Sequence, residues 1–181
     1  YTAMGQRVLM LAHSEKPIIG DQLPSDMKPF AIITLSDNIR RDAIQTIEWF
    51  KKNEVNVKVI SGDNPVTVSE VAKRAGVEGA DKYVSLEGMS EADVIACATK
   101  YNVFGRVTPE QKAILVKALK HAGHTVAMTG DGVNDILAMK EAHCSITVAS
   151  GSDATKNIAH IVLMDNNFNS MPHVVAEGRR V

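Results

Sequence analysis

The apolar run Thr125-Val126-Ala127-Met128-Thr129 stops at Gly130-Asp131-Gly132, and a helical pattern starts at once at Val133. Strands buried on both faces read as continuous apolar runs, and parallel neighbours must be joined by a crossover, so a strand that passes through a tight loop into a helix is the building unit of a parallel sheet. Gly130 and Gly132 are expected to take positive φ and to bring the backbone close to a ligand. Asp131 and Asp135 then face one point, with Asn134 between them. Two hard carboxylates at a strand end suit Mg2+, which takes one or two carboxylates together with waters or a phosphate. The competing use of Asn134 and Asp135 is as capping groups for the helix.

The same design recurs along the chain. Val57-Lys58-Val59-Ile60 runs into Ser61-Gly62-Asp63, and Asn64-Pro65 then starts a helix that ends at Gly76. Weaker strands are predicted at Tyr83 to Leu86 and Val103 to Phe104, with a helix from Ser90 to about Lys100 between them. Thr108 is placed as N-cap and Pro109 at the first helical position, so Lys112 lies one turn into a helix that ends before Gly123. Beyond the acidic loop come helix 133 to 142, strand 144 to 148, helix 152 to 160, strand 161 to 164 and a last helix from about Ser170. Phe30 to Leu35 reads as a strand, followed by a helix capped by Ser36 and Asp37 with Ile39, Ala43, Ile44, Ile47 and Phe50 on one face. Such alternation specifies an α/β fold, doubly wound on a mainly parallel sheet.

Four of these stretches carry a resemblance. Thr129-Gly130-Asp131-Gly132-Val133-Asn134-Asp135 resembles the hinge and magnesium motif of the P-type (E1-E2) cation-transporting ATPases, and Ser61-Gly62-Asp63 resembles their Thr-Gly-Asp motif with serine for threonine. Arg106 to Lys112 resembles their Arg-x-x-Pro-x-x-Lys stretch, and Ser36 to Arg40 their Asp-Pro-x-Arg motif with Asn38 for proline. The motifs stand in family order and the similarity spans essentially the whole chain. It implies the haloacid-dehalogenase-like phosphorylation domain of such a pump, lacking its first, nucleophile-bearing strand. Residues 1–30 would be the tail of the nucleotide-binding domain and its hinge, and 31–181 the second half of the phosphorylation domain.

The resemblance also implies the site. Lys112, Asp131 and Asp135 match catalytic positions, with Asp131 and Asp135 holding Mg2+. Ser61, Gly62, Asp63, Arg106, Lys112 and Asn134 match contacts to ATP, and Asp37 and Arg40 a hinge. The nucleophilic aspartate of an Asp-Lys-Thr-Gly-Thr motif is absent from these residues. The isolated chain is therefore expected to be inactive, and its partners to be ATP, the nucleophile segment, the nucleotide-binding domain and the membrane domain of the same pump. A soluble piece on the cytoplasmic side of a membrane protein is implied, with calcium the ion suggested. Two other readings are a phosphatase of the same superfamily, which needs an Asp-x-Asp nucleophile, and a non-catalytic module that binds Mg2+ or nucleotide.

Composition narrows the field. With 20 basic against 21 acidic residues and a net charge of -1, the chain has no basic field for nucleic acid. Cys97 and Cys144 lack metal-ligand spacing and read as buried free thiols. His121, His124, His143, His160 and His173 are scattered over several elements and read as structural or surface groups. The missing central strand leaves a gap with two unpaired edges. The chain is expected to fill it with its own residues 1–30, to close the sheet, or to pair between molecules, and the apolar run Val8-Leu9-Met10-Leu11, within Arg7 to Ala12, is the candidate filler.

Overall fold

The computed structural model describes residues 1–36 and 38–180; the roles expected of Asp37 lie outside the described residues. An antiparallel ribbon of β1 (Arg7–His13) and β2 (Lys28–Leu35) comes first. It is followed by α1 (Ala43–Lys52), β3 (Val59–Ile60), α2 (Pro65–Arg74), β4 (Tyr83–Ser85), α3 (Glu91–Cys97), β5 (Val103–Gly105) and α4 (Pro109–His121). The chain closes with β6 (Ala127–Thr129), α5 (Ile136–Glu141), β7 (Cys144–Val148), α6 (Asp153–Ile158), β8 (Ile161–Leu163) and α7 (Met171–Gly178).

Helix starts are set by local chemistry. Asn64 Oδ1 accepts from Val66 N-H at 2.9 Å with Pro65 next in line. Thr108 and Gln111 make a reciprocal capping box, Oγ1 accepting at 3.3 Å and Oε1 at 3.1 Å. Ser90 and Ser152 cap α3 and α6 one way only, each hydroxyl accepting from the backbone N-H three residues on. Each such cap is worth about 1 kcal/mol. The helix expected from Ser36 begins instead at Ala43, because Arg40 and Asp42 just before it are bonded to Asn166 and Asn167 across the domain.

All strands after the ribbon pair in parallel, as the alternation requires, but in two separate sheets of order β3-β5-β4 and β6-β7-β8. β3 and β6 are the facing edges. Arg7 to Ala12 does form a strand, yet it does not fill the gap between them. It pairs with β2, Leu9 opposite Ile33 and Met10 opposite Ile32, since a hairpin partner close in sequence costs less loop entropy than a distant one. Phe30 to Leu35 is likewise part of the ribbon and of neither parallel sheet. Every residue of β2 is exposed. β6 departs from the expected doubly buried strand for the same reason: it is an edge, with Met128 buried and Ala127 and Thr129 exposed.

Two helices tie the sheets together. Leu115 and Leu119 of α4 pack with Leu86, Val94 and Phe104 over the first sheet, while Val116 of the same helix packs with Met128, Ala138 and Met139 over the second. On α1, Ile47 joins the cluster of Val68 and Val103, and Phe50 joins Ile146, Leu163 and Met171. Burying a Leu or Phe side chain stabilises by about 1.5–3 kcal/mol, so these contacts are the link between the two sheets. Cys97 and Cys144 are free but half-buried, not buried as expected. No helix among the described residues is long and apolar enough to cross a membrane.

Candidate active site

The carboxyl ends of β3 and β6 open on one cleft of about 690 Å3. Ligands in open α/β sheets bind at this end of the strands. Ser61 and Gly62 reach it from β3, Thr129, Gly130 and Asp131 from β6, and Lys112 from the first turn of α4. Asp135 completes the set.

The acidic loop is shaped by contact and not by left-handed backbone. Neither Gly130 nor Gly132 has positive φ, so that expectation is overturned. At Gly130 a Cβ would lie 2.7 Å from Asp135 Cγ, and glycine is required because the Asp135 side chain folds back over the loop. There Asp135 Oδ2 accepts from Gly132 N-H at 3.3 Å, and Oδ1 accepts from Lys112 Nζ at 2.7 Å. The two charged side chains are only 13% and 12% exposed. A buried charge is costly unless paired, so lysine and aspartate fix each other.

Asp131 is exposed at the cleft, its side chain turned to solvent. Ser61 Oγ accepts from Asp63 N-H at 3.1 Å, which leaves the hydroxyl proton for another acceptor. Among the described residues no three His, Cys, Asp or Glu groups converge on one point. The donors do suit Mg2+ as a half-site, since that ion takes one or two carboxylates and keeps oxygen ligands from water or phosphate. Asp131 is the available carboxylate; Asp135 already holds an ammonium.

The remaining expected contacts divide. Asp63 and Arg106 line a neighbouring depression of about 220 Å3 with Arg7, Asn64 and Thr67. Arg106 N-H donates to Asp63 O at 2.9 Å and the arginine backbone is left-handed, φ 54. Asn134 is exposed and lines neither cavity.

One wall of the cleft comes from residues outside every motif in the sequence. Asn166, Asn167 and Asn169 follow β8 at the carboxyl end of its sheet and border the cleft. Asn167 Nδ2 donates to Asp42 Oδ2 at 3.0 Å, Thr46 Oγ1 to Asn169 Oδ1 at 3.2 Å, and Arg40 to Asn166 O at 2.9 Å. The hydroxyl of Ser170 beside Asp165 holds that carboxyl below its ordinary pKa. The polar run Asp165-Asn166-Asn167 directly after an apolar strand was the available signal.

A family model described as haloacid dehalogenase-like hydrolase matches residues 3–143, and a second of the same description matches 112–175. The chain is 46% identical over 179 residues to "Probable cation-transporting ATPase exp7" of Streptococcus pneumoniae, covering 98% of this chain and 23% of that protein. It is 45% identical over 179 residues to "Calcium-transporting ATPase CtpE" of Mycobacterium tuberculosis, covering 99% and 22%. Among solved structures, a zinc-transporting PIB-type ATPase in its E2.Pi state is similar with TM-score 0.67 at 25% identity, over 98% of this chain and 23% of that one. The chain thus spans less than a quarter of the length of these relatives.

Proposed function

The chain belongs to the haloacid dehalogenase-like hydrolases, and from that membership we propose that it is the second half of the phosphorylation domain of an ATP-driven cation pump. The observation that carries the reading is the Lys112–Asp135 pair, which lines one cleft together with Ser61 and Asp131 at the strand ends of two parallel sheets. The likeness to cation-transporting ATPases supports it along nearly the whole chain. The transported ion is proposed to be calcium, the ion that the name of the M. tuberculosis relative gives for that protein.

In this reading an aspartate outside the chain displaces ADP from the γ-phosphorus of ATP, its carboxylate oxygen forming the new bond while ADP leaves with the electron pair. Ser61 Oγ-H and Gly62 N-H donate to the oxygens of the phosphoryl group. Lys112 Nζ, anchored on Asp135, stays on a flexible stem and follows the charge as it moves. Asp131 would hold Mg2+, which when bound offsets charge on the phosphoryl oxygens, and Asp135, expected as a second ligand, supports the site from behind because its oxygens accept from Lys112 Nζ and Gly132 N-H. Asp63 and Arg106 border the depression where the nucleotide side is proposed to lie, and Asn134 is retained as a contact made only when the longer protein closes. Residues 1–30 are assigned to the tail of the nucleotide-binding domain and 31–181 to the phosphorylation domain, on the cytoplasmic side of the membrane. The other partners are the nucleophile segment and the membrane domain.

The experiment is a phosphorylation assay with labelled ATP and Mg2+. The isolated chain forms no acid-stable phosphoenzyme, because covalent transfer needs an attacking carboxylate. The longer protein forms one, and loses it with Asp131→Ala. Steady phosphate release by the isolated chain that disappears in Asp131→Ala would instead point to a self-sufficient phosphatase.

A further inference from the structure

The backbone of Asp131 is held by a part of the chain that no motif above includes. Ser152 N-H donates to Asp131 O at 2.8 Å. Thr155 Oγ1 lies 2.7 Å from Ser152 O and 3.4 Å from Asp131 O. Thr147 Oγ1 approaches Thr155 Oγ1 at 3.5 Å, and both threonines are fully buried. Gly151 sits hard against this pair: a Cβ there would be 2.7 Å from Thr147 Oγ1 and 3.0 Å from Val148 O. Two hydroxyls in an apolar layer are retained at a desolvation cost, and the groups they fix are Ser152 and the peptide of Asp131.

We propose that Ser152 and Thr155 are positioning residues for the acidic loop: they clamp the Asp131 carbonyl so that its carboxylate is presented to a divalent cation in the cleft. The inference rests on the metal role of Asp131 proposed above. Thr155 locks the turn before α6, Ser152 passes the constraint on through one backbone N-H, and the Asp131 peptide cannot rotate without breaking it. The loop is tied at its other end by Gly130 N-H, which donates to Ile146 O at 3.1 Å. The carboxylate is thereby pre-organised on a rigid strand end instead of being ordered when the cation arrives.

The test is titration of the chain with MgCl2, followed through the backbone amide signals of Gly130 and Gly132 by NMR, with melting curves for each variant. Ser152 has φ -60, which proline shares, so Ser152→Pro keeps the local backbone angle while its ring replaces the donor and pushes the Asp131 carbonyl out of the clamp; Ser152→Ala controls for the lost side-chain cap. Thr155→Val removes the hydroxyl and Thr155→Ser keeps it. Loss of one hydrogen bond predicts Mg2+ binding weaker by roughly three- to tenfold in Ser152→Pro and Thr155→Val, with Ser152→Ala and Thr155→Ser within about twofold of the parent. If Thr155→Val does not fold, Ser152→Pro against Ser152→Ala decides alone. Unchanged Mg2+ affinity in the donor-deleting variants, while Asp131→Asn weakens it, overturns the positioning role and leaves the site standing. Unchanged affinity in Asp131→Asn removes the metal reading itself, and the proposal with it.

Discussion

Replacing Lys112 by methionine removes one partner of an ion pair whose side chains are 13% and 12% exposed and whose atoms are 2.7 Å apart. Breaking a fully buried pair costs about 3–5 kcal/mol, because the partner is left charged and desolvated. Asp135 keeps the Gly132 N-H at 3.3 Å and a sliver of solvent, which brings the expected loss to about 2–4 kcal/mol. For a domain of this size each kcal/mol lowers Tm by roughly 2–4 °C, so a fall on the order of 10 °C is predicted. Asp135→Asn alone strands the lysine and is expected to cost a similar amount. In the double variant a neutral amide faces a thioether and the penalty is not incurred twice, giving a coupling of about 2 kcal/mol in urea melts of the four proteins. A coupling below about 0.5 kcal/mol refutes the claim that the pair is desolvated and with it the idea that Asp135 anchors Lys112.

Gly130→Ala drives a Cβ into Asp135, so overpacking of about 1–3 kcal/mol is expected, with loss of the Lys112 contact visible as a lysine shift in NMR; an unperturbed melt would show that the loop has room. Burial holds the Lys58 ammonium below its ordinary pKa of 10.5, so the unfolded chain binds that proton more tightly and stability rises with pH through the window just below the unfolded value. Urea midpoints of the parent measured against Lys58→Met from pH 8 upwards should show the difference growing in the parent's favour; a flat or falling difference contradicts the assignment. In the longer protein Asp131→Asn is expected to weaken Mg2+-dependent phosphorylation far more than Ser61→Thr, which keeps the hydroxyl, and the reverse ranking would remove Ser61 from the site.

Legibility in the sequence followed the range of the forces. Asn64-Pro65, Thr108-Pro109 and Ser152 announced helix starts because a cap acts within three residues. The strand-loop-helix runs announced parallel pairing because a crossover is local in sequence. What was missed depends on tertiary neighbours. The partner of Arg7 to Ala12 was β2 and not the gap, a choice no apolar pattern encodes. The reason for Gly130 was the folded-back Asp135, where positive φ was expected. Asn166, Asn167 and Asn169 came to the cleft from more than 120 residues beyond Asp42 and Thr46, a distance over which composition carries no information.

The split between β3 and β6 gives the cleft an unusual kind of adjustability. In a continuous sheet the distance between two strand ends is dictated by ladder spacing, about 4.8 Å per strand, and is nearly incompressible. Here Ser61 stands on one sheet and Asp131 on the other, joined through the side-chain packing of α1 and α4. Packed helices slide in small steps where ladders do not, so the seam is a joint, and the gap across the site is set by how Leu115, Val116, Ile47 and Phe50 seat. An extended segment entering between the two edges would act as a keystone: hydrogen-bonded on both flanks, it would convert a jointed pair of sheets into one stiff plate and fix Ser61 and Asp131 at a single spacing.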